Sequence, residues 1–178
     1  MTAEETWAGD ADAIAGAWRR ERPGTPTESI GVVTRIWQLG KLLSDDRRRV
    51  LAELGIDRGT MDLLSVLRRA GPPYRLTTRQ LTDRTLVTAG AISQRVARAE
   101  SAGLVRRAPD DAGRRAVSVQ LTDAGHAEIE RTVDRVLTRE TELLSGLSDG
   151  QRAQLGAALH DLLDDLTTRL GHPGRNEY

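Results

Sequence analysis

The 178-residue sequence contains no cysteine, which removes a disulfide framework, a thiolate zinc site and a thiol redox sensor together. Its three histidines, His126, His160 and His172, stand too far apart along the chain to suggest a ligand cluster, so neither a metal nor a cofactor is expected. No apolar run approaches the roughly 20 residues of a bilayer span. The opening MTAEETWAGDADA has neither a basic n-region nor an apolar h-region. A cytoplasmic protein without a membrane partner is expected. Also missing are a GxSxG elbow, a Gly-rich phosphate loop and an HExxH motif, so no catalytic residue is assigned and an enzyme is disfavoured. Lysine is almost lacking: Lys41 stands alone and the other basic residues are arginine.

What is present is an uneven distribution of charge. The net charge is zero, but residues 1–74 hold 11 basic and 11 acidic groups, residues 75–119 nine and four, and residues 120–178 six and eleven. The middle is therefore +5 and the tail −5. A basic stripe is what a phosphate backbone responds to; chance clustering is the plain alternative.

The length suits one domain, or one domain with a helical extension. A first short helix is expected from about Ala3 to Arg20, ending at Arg22-Pro23-Gly24. Thr25-Pro26-Thr27-Glu28 reads as a capping box with proline at the first helical position. The long helix after it carries Val32, Ile36, Leu39, Leu43, Val50 and Leu54 and stops at Gly55. Asp57 caps a helix with Met61, Leu63, Leu64 and Leu67, which Gly71-Pro72-Pro73 terminates. A second capping box, Thr77-Thr78-Arg79-Gln80, opens a helix of barely two turns. Thr88 then caps a helix to about Ser101, with Ala89, Ile92, Val96 and Ala99 inward and Gly103 as its stop. Two short helices around a tight turn make a helix-turn-helix.

Leu104 to Ala108 and Ala116 to Leu121 read as two strands, the second alternating Val117 and Val119 with polar Ser118 and Gln120, around the turn Pro109-Asp110-Asp111-Ala112-Gly113. This hairpin is a wing. Two further helices follow, Thr122 to about Leu144 with Ile129, Val133, Val136 and Leu143, and Ser148 to about Leu170 with Leu155, Leu159, Leu162 and Leu166 behind a Ser148/Gln151 capping box. The expected fold is mainly α with a small β-hairpin wing. It is organised as an extra N-terminal helix (1–24), a first dimerisation helix (25–56), a winged helix-turn-helix lobe (57–121) and C-terminal dimerisation helices (122–178). The apolar stripes flanking the lobe suit a homodimer interface; packing within one subunit is the alternative.

In a helix-turn-helix the N-terminal part of the second helix enters the major groove. That makes Thr88, Gly90, Ser93, Gln94 and Arg98 the candidates for contact with double-stranded DNA. Gln94 can pair bidentately with adenine, Ser93 and Thr88 can reach phosphate or base edges, and Gly90 permits close backbone approach. Arg114 and Arg115, just past the wing turn, are placed to reach the minor groove. Arg75 and Arg79 suit phosphate clamps. Any single one of these also reads as ordinary solvated surface; their order within the basic third of the chain is the specific signal.

These residues resemble the MarR family of transcriptional regulators, through Met61-Asp62-Leu63-Leu64, VTAGAISQRVARAESAGLVRRAPDD, Arg114-Arg115-Ala116-Val117 and LTDAG at Leu121 to Gly125. The resemblance implies a homodimer on a palindromic operator, a repressor released by a small molecule. One departure is Gly113, where the family usually has an acidic residue before the wing arginines; Asp110 and Asp111 are nearby alternatives. The extra helix ending in AWRRERPG is similar to the urate-responsive, PecS-type branch. That similarity implies a ligand site of Trp18, Asp62, Arg95 and Arg107 for urate or a related purine. An indole stacks on a planar ring and guanidinium groups pair with an anionic heterocycle. A phenolic acid or drug-like aromatic anion has the same needs, and a helical adaptor that does not bind DNA is the reading from another class.

Overall fold

Asp57, Thr88, Thr122 and Ser148 each stand just ahead of a helix and turn a side-chain oxygen back to accept a backbone N–H of its first turn. Each satisfies a donor that helix geometry leaves without a partner, and together they set where the helices start. A computed structural model describes residues 10–85, 87–109 and 117–171. The elements are α1 (Ala11–Glu21), α2 (Ile30–Leu54), α3 (Arg58–Arg69), β1 (Arg75–Thr77), α4 (Thr78–Thr85), α5 (Ala89–Ser101), β2 (Val105–Pro109), β3 (Val117–Leu121), α6 (Asp123–Leu143) and α7 (Asp149–Arg169). The chain is mainly helical with a small antiparallel sheet, as the sequence leads one to expect. None of the described helices is long and apolar enough to cross a membrane.

The chain divides into two compact units, residues 1–50 and 51–178. In the first, α1 is described from Ala11 with Asp10 as its cap, while the expected start at Ala3, with Trp7, lies outside the described residues. Ala11 and Ala15 are buried, and Arg35 of α2 donates to the Asp12 carboxylate at 2.8 Å. The Thr25/Glu28 capping box does not form. The chain instead turns at 28–29, with the Ile30 N–H on the Thr27 carbonyl at 3.2 Å and the Val33 N–H on Ser29 at 2.8 Å. The Thr25 hydroxyl is buried and finds no hydrogen-bond partner among the described residues. α2 therefore starts four residues beyond Pro26. Its residues Val32, Ile36, Leu39 and Leu43 are exposed.

The second unit holds the main core. Leu63, Leu64 and Leu67 of α3, Leu81 of α4, Ile92 of α5 and Ile129 of α6 are sealed from solvent. Burying each such side chain contributes about 1.5–3 kcal/mol. Three strands run in the order β1-β3-β2, with Arg75 opposite Gln120 and Arg107 opposite Val119. No local pattern in the sequence announces β1. Three residues cannot display an alternation, and pairing with β3 decides their conformation. The same strand explains Ser118, expected on the polar face but buried: β3 is the middle strand, and the Ser118 hydroxyl donates to the Ala108 carbonyl at 3.0 Å. Ala89, expected inward, is exposed because it stands at the open first turn of α5.

Two small devices fix the frame around this core. Thr122 accepts the Gly125 N–H at 3.0 Å and donates its hydroxyl to the Gly103 carbonyl at 2.7 Å, tying the start of α6 to the end of α5. On the far side Tyr74, with a left-handed φ of 58°, is held edge-on by His126, ring centroids 4.5 Å apart. The Arg68 guanidinium lies over the Tyr74 ring at 4.9 Å and pairs with Glu130 at 2.6 Å. α7 differs from the other helices: it has a complete capping box but no buried residue, and Leu155, Leu159, Leu163 and Leu166 are exposed.

Candidate nucleic-acid interface and effector site

α4 has eight residues, too few to persist alone in water. Its capping box is complete, with the Thr77 N–H on Gln80 Oε1 at 2.8 Å and the Gln80 N–H on Thr77 Oγ1 at 3.2 Å. Leu81 then pins it to the core. After the connector, Thr88 Oγ1 accepts the Ala91 N–H at 3.2 Å and starts α5. Ile92, Val96 and Ala99 fall on the inner face, and the same three- and four-residue steps carry Gly90, Ser93, Gln94 and Arg98 round to the opposite side. All four, with Thr88, are exposed. A Cβ at Gly90 would meet nothing within 4 Å, so the helix surface is open there. The face offers hydroxyl, amide and guanidinium groups beside the unsatisfied N–H groups of a helix start, a set suited to phosphates and base edges.

The clamp candidates divide. Arg79 is exposed on α4, and Arg75 is half-buried at the head of β1. Arg114 and Arg115, with Asp110, Asp111 and Gly113, lie outside the described residues.

Of the four ligand candidates, two are brought together. Arg95 reaches across from α5 to α3 and meets Asp62 at 3.6 Å, with Arg58 on the same carboxylate at 3.9 Å. Gly59 eases the approach, since a Cβ there would sit 3.1 Å from both Arg95 Nε and Asp57 Oδ1 and the side chains would have to shift by a few tenths of an ångström. Arg107 is engaged elsewhere: its guanidinium meets Glu100 at 3.2 Å and its backbone N–H donates to the same carboxylate at 3.3 Å. Trp18 belongs to the first unit, on α1, half exposed.

A further contact has no counterpart in the sequence pattern. Arg98 meets Asp57 at 3.0 Å, so two successive arginines of α5 are each held by a carboxylate of the α3 segment. Partial burial would push the Asp57 carboxyl up, but hydrogen bonds from the Thr60 hydroxyl and backbone N–H, and then the Arg98 guanidinium, outweigh it and hold it below its ordinary value. In the sequence Asp57 declares itself as a cap and nothing more. Gly59 and Glu100 likewise carry no local signal, since their importance comes from residues 36 and seven positions away. Among the described residues no three His, Asp or Glu side chains converge where they could hold a metal ion.

Residues 54–116 match the model of the MarR family. The chain is 32% identical over 146 residues to the HTH-type transcriptional regulator PecS of Dickeya dadantii (strain 3937), a match covering 82% of this chain and 88% of that protein. Among solved structures it is similar to a mutant MarR from E. coli complexed with operator DNA, with 24% identity and a TM-score of 0.61 over 82% of this chain and 97% of that one. It is also similar to the organohalide-sensing regulator RdhR in its 2,4-dichlorophenol-bound form, with 18% identity and a TM-score of 0.67 over 80% of this chain and 83% of that one.

Proposed function

Because the chain belongs to the MarR family, and is thus a DNA-binding transcriptional regulator and not an enzyme, we propose that it is a cytoplasmic repressor released from its operator by a urate-like anion. The reading rests on one observation above others: the recognition helix α5 exposes its polar face to solvent while Arg95, in its middle, is tied to Asp62 of α3 at 3.6 Å. An anionic purine competes with Asp62 for Arg95. A ligand that binds more tightly when that pair is broken shifts the population toward conformers in which α5 is displaced, and coupling of about 1–3 kcal/mol corresponds to a 5- to 150-fold loss of DNA affinity. Arg107, which Glu100 holds at 3.2 Å, and Trp18 are further ligand contacts only as the sequence resemblance assigns them.

The working form we propose is a homodimer on a palindromic site. The exposed apolar residues of α2 and, separately, those of α7 support it, since large unpartnered apolar faces mark association surfaces. Thr88, Gly90, Ser93, Gln94 and Arg98 would meet DNA in the major groove, Arg114 and Arg115 in the minor groove, and Arg75 and Arg79 would hold phosphates. The test is a gel-shift titration on the DNA flanking its own gene, with and without urate. Tight binding released by urate in the wild type, with a blunted response in Asp62→Ala and Arg95→Ala, is expected. Release by phenolic anions and not by urate would reassign the ligand. Failure to bind any duplex at low salt would overturn the functional assignment.

A further inference from the structure

Arg95 and Arg98 look alike in the sequence but are held differently. Arg95 lies in the space Gly59 leaves, with 22% of its side chain exposed, whereas the Arg98 side chain is 62% exposed and that of its partner Asp57 42%. An ion pair this open to water contributes little and is easily exchanged. Asp57 does not depend on it. Its Oδ1 also accepts the Thr60 N–H at 3.1 Å and its Oδ2 accepts the Thr60 hydroxyl at 2.7 Å, so the carboxylate keeps its place whether or not Arg98 is there. Arg98 in turn stands on the exposed face of α5 with Ser93 and Gln94, where a guanidinium has a second natural partner in a phosphate oxygen.

We propose that Asp57 is an internal competitor of DNA for Arg98: its fixed carboxylate occupies the guanidinium that would otherwise bind a backbone phosphate, and so lowers the affinity of the protein for DNA. This rests on the assignment of α5 as the DNA-reading helix. The contact is autoinhibitory and separate from the Arg95–Asp62 pair, since it involves the other carboxylate and the other arginine. Its effect is sequence-independent, because a phosphate is contacted at any site.

Asp57→Asn tests it cleanly, because asparagine caps a helix about as well as aspartate while carrying no charge; Asp57→Ser, a second neutral cap, runs in parallel. The measurement is fluorescence anisotropy on operator and on random duplex DNA across a salt series, for wild type, Asp57→Asn, Asp57→Ser, Arg98→Ala and Asp57→Asn/Arg98→Ala, with a thermal melt of each. The expected result is an affinity about two- to fivefold higher in the neutral-cap variants on both DNAs. The salt dependence should also steepen by roughly one phosphate's worth, a slope change of about 0.9. Arg98→Ala should lose affinity, and the double variant should match Arg98→Ala. An unchanged or lower affinity in folded Asp57→Asn and Asp57→Ser overturns the proposal. So does a gain that persists without Arg98, which would show only the general effect of removing a negative charge. Wild type that binds no duplex at low salt would instead remove the DNA-reading assignment itself.

Discussion

The Cα of Gly125 lies against the backbone carbonyl of Leu104, so close that a methyl group at Gly125 would overlap the carbonyl oxygen. The Thr122 N–H donates to that same carbonyl at 3.1 Å, so the chain cannot move away without giving up the junction between α5, β2 and α6. Gly125→Ala is therefore expected to destabilise the fold by about 1–3 kcal/mol, as overpacking does, and to lower the melting temperature by roughly 2–12 °C. A thermal melt that coincides with wild type would show that the junction relaxes freely.

Gln94 and Arg79 should separate specificity from attraction. Gln94→Ala is expected to cost about 1–3 kcal/mol on the operator and to leave random-sequence binding and the salt slope nearly unchanged. Arg79→Ala should weaken both DNAs alike and make the salt slope shallower by about one contact. Equal losses on both duplexes for Gln94→Ala would remove it from base reading.

Asp62 lies in a partly exposed pair, so Asp62→Asn should change stability by no more than about 1 kcal/mol. Its signature is functional. Urate is expected to release the variant from DNA far less effectively than the wild type, measured as the ratio of DNA dissociation constants with and without ligand. A ratio identical to wild type would exclude the Arg95–Asp62 pair from the response.

Asp57 should leave a trace in acid. Its folded-state pKa is lowered below the ordinary 3.8, so its contribution to stability is complete above the unfolded value and is lost as the pH falls through the folded one. Urea denaturation at pH 7 and at pH 3 should show a smaller difference for Asp57→Asn than for wild type. Asp57→Ala should also lose about 1 kcal/mol of capping at both pH values. Identical pH dependence of wild type and Asp57→Asn would contradict the lowered pKa.

Leu159 and Leu163 are exposed on α7. If the proposed homodimer forms through α7, Leu159→Glu/Leu163→Glu will sediment as a monomer in analytical ultracentrifugation where wild type sediments as a dimer, with DNA affinity reduced. A double variant that still sediments as a dimer would move the interface elsewhere.

The residues that announce themselves in the sequence are those whose partners are three or four positions away. The Thr77/Gln80 and Ser148/Gln151 boxes, the caps at Asp57, Thr88 and Thr122, and the inward set Ile92, Val96 and Ala99 are of this kind. Thr25/Glu28 shows the limit of the same logic: the residue types are right, but the chain prefers the turn at 28–29. β1 and the burial of Ser118 depend on pairing across more than 40 residues, and no local pattern records it. The candidate site behaves alike. The exposed face of α5 follows from helical periodicity, whereas the grip of Asp57 on Arg98 and the space at Gly59 exist only once α3 and α5 pack.

α7 is a 21-residue helix without one buried side chain. A helix whose apolar stripe faces water has little beyond its capping box to keep it wound, so its integrity is a question of supply. If α7 is covered by a second copy in the proposed homodimer, it should resist a protease in concentrated solution and in a dilute one be clipped first, between Ser148 and Leu170, while the core around Leu63 and Leu64 stays intact. For such a chain, scarcity would act as a denaturant.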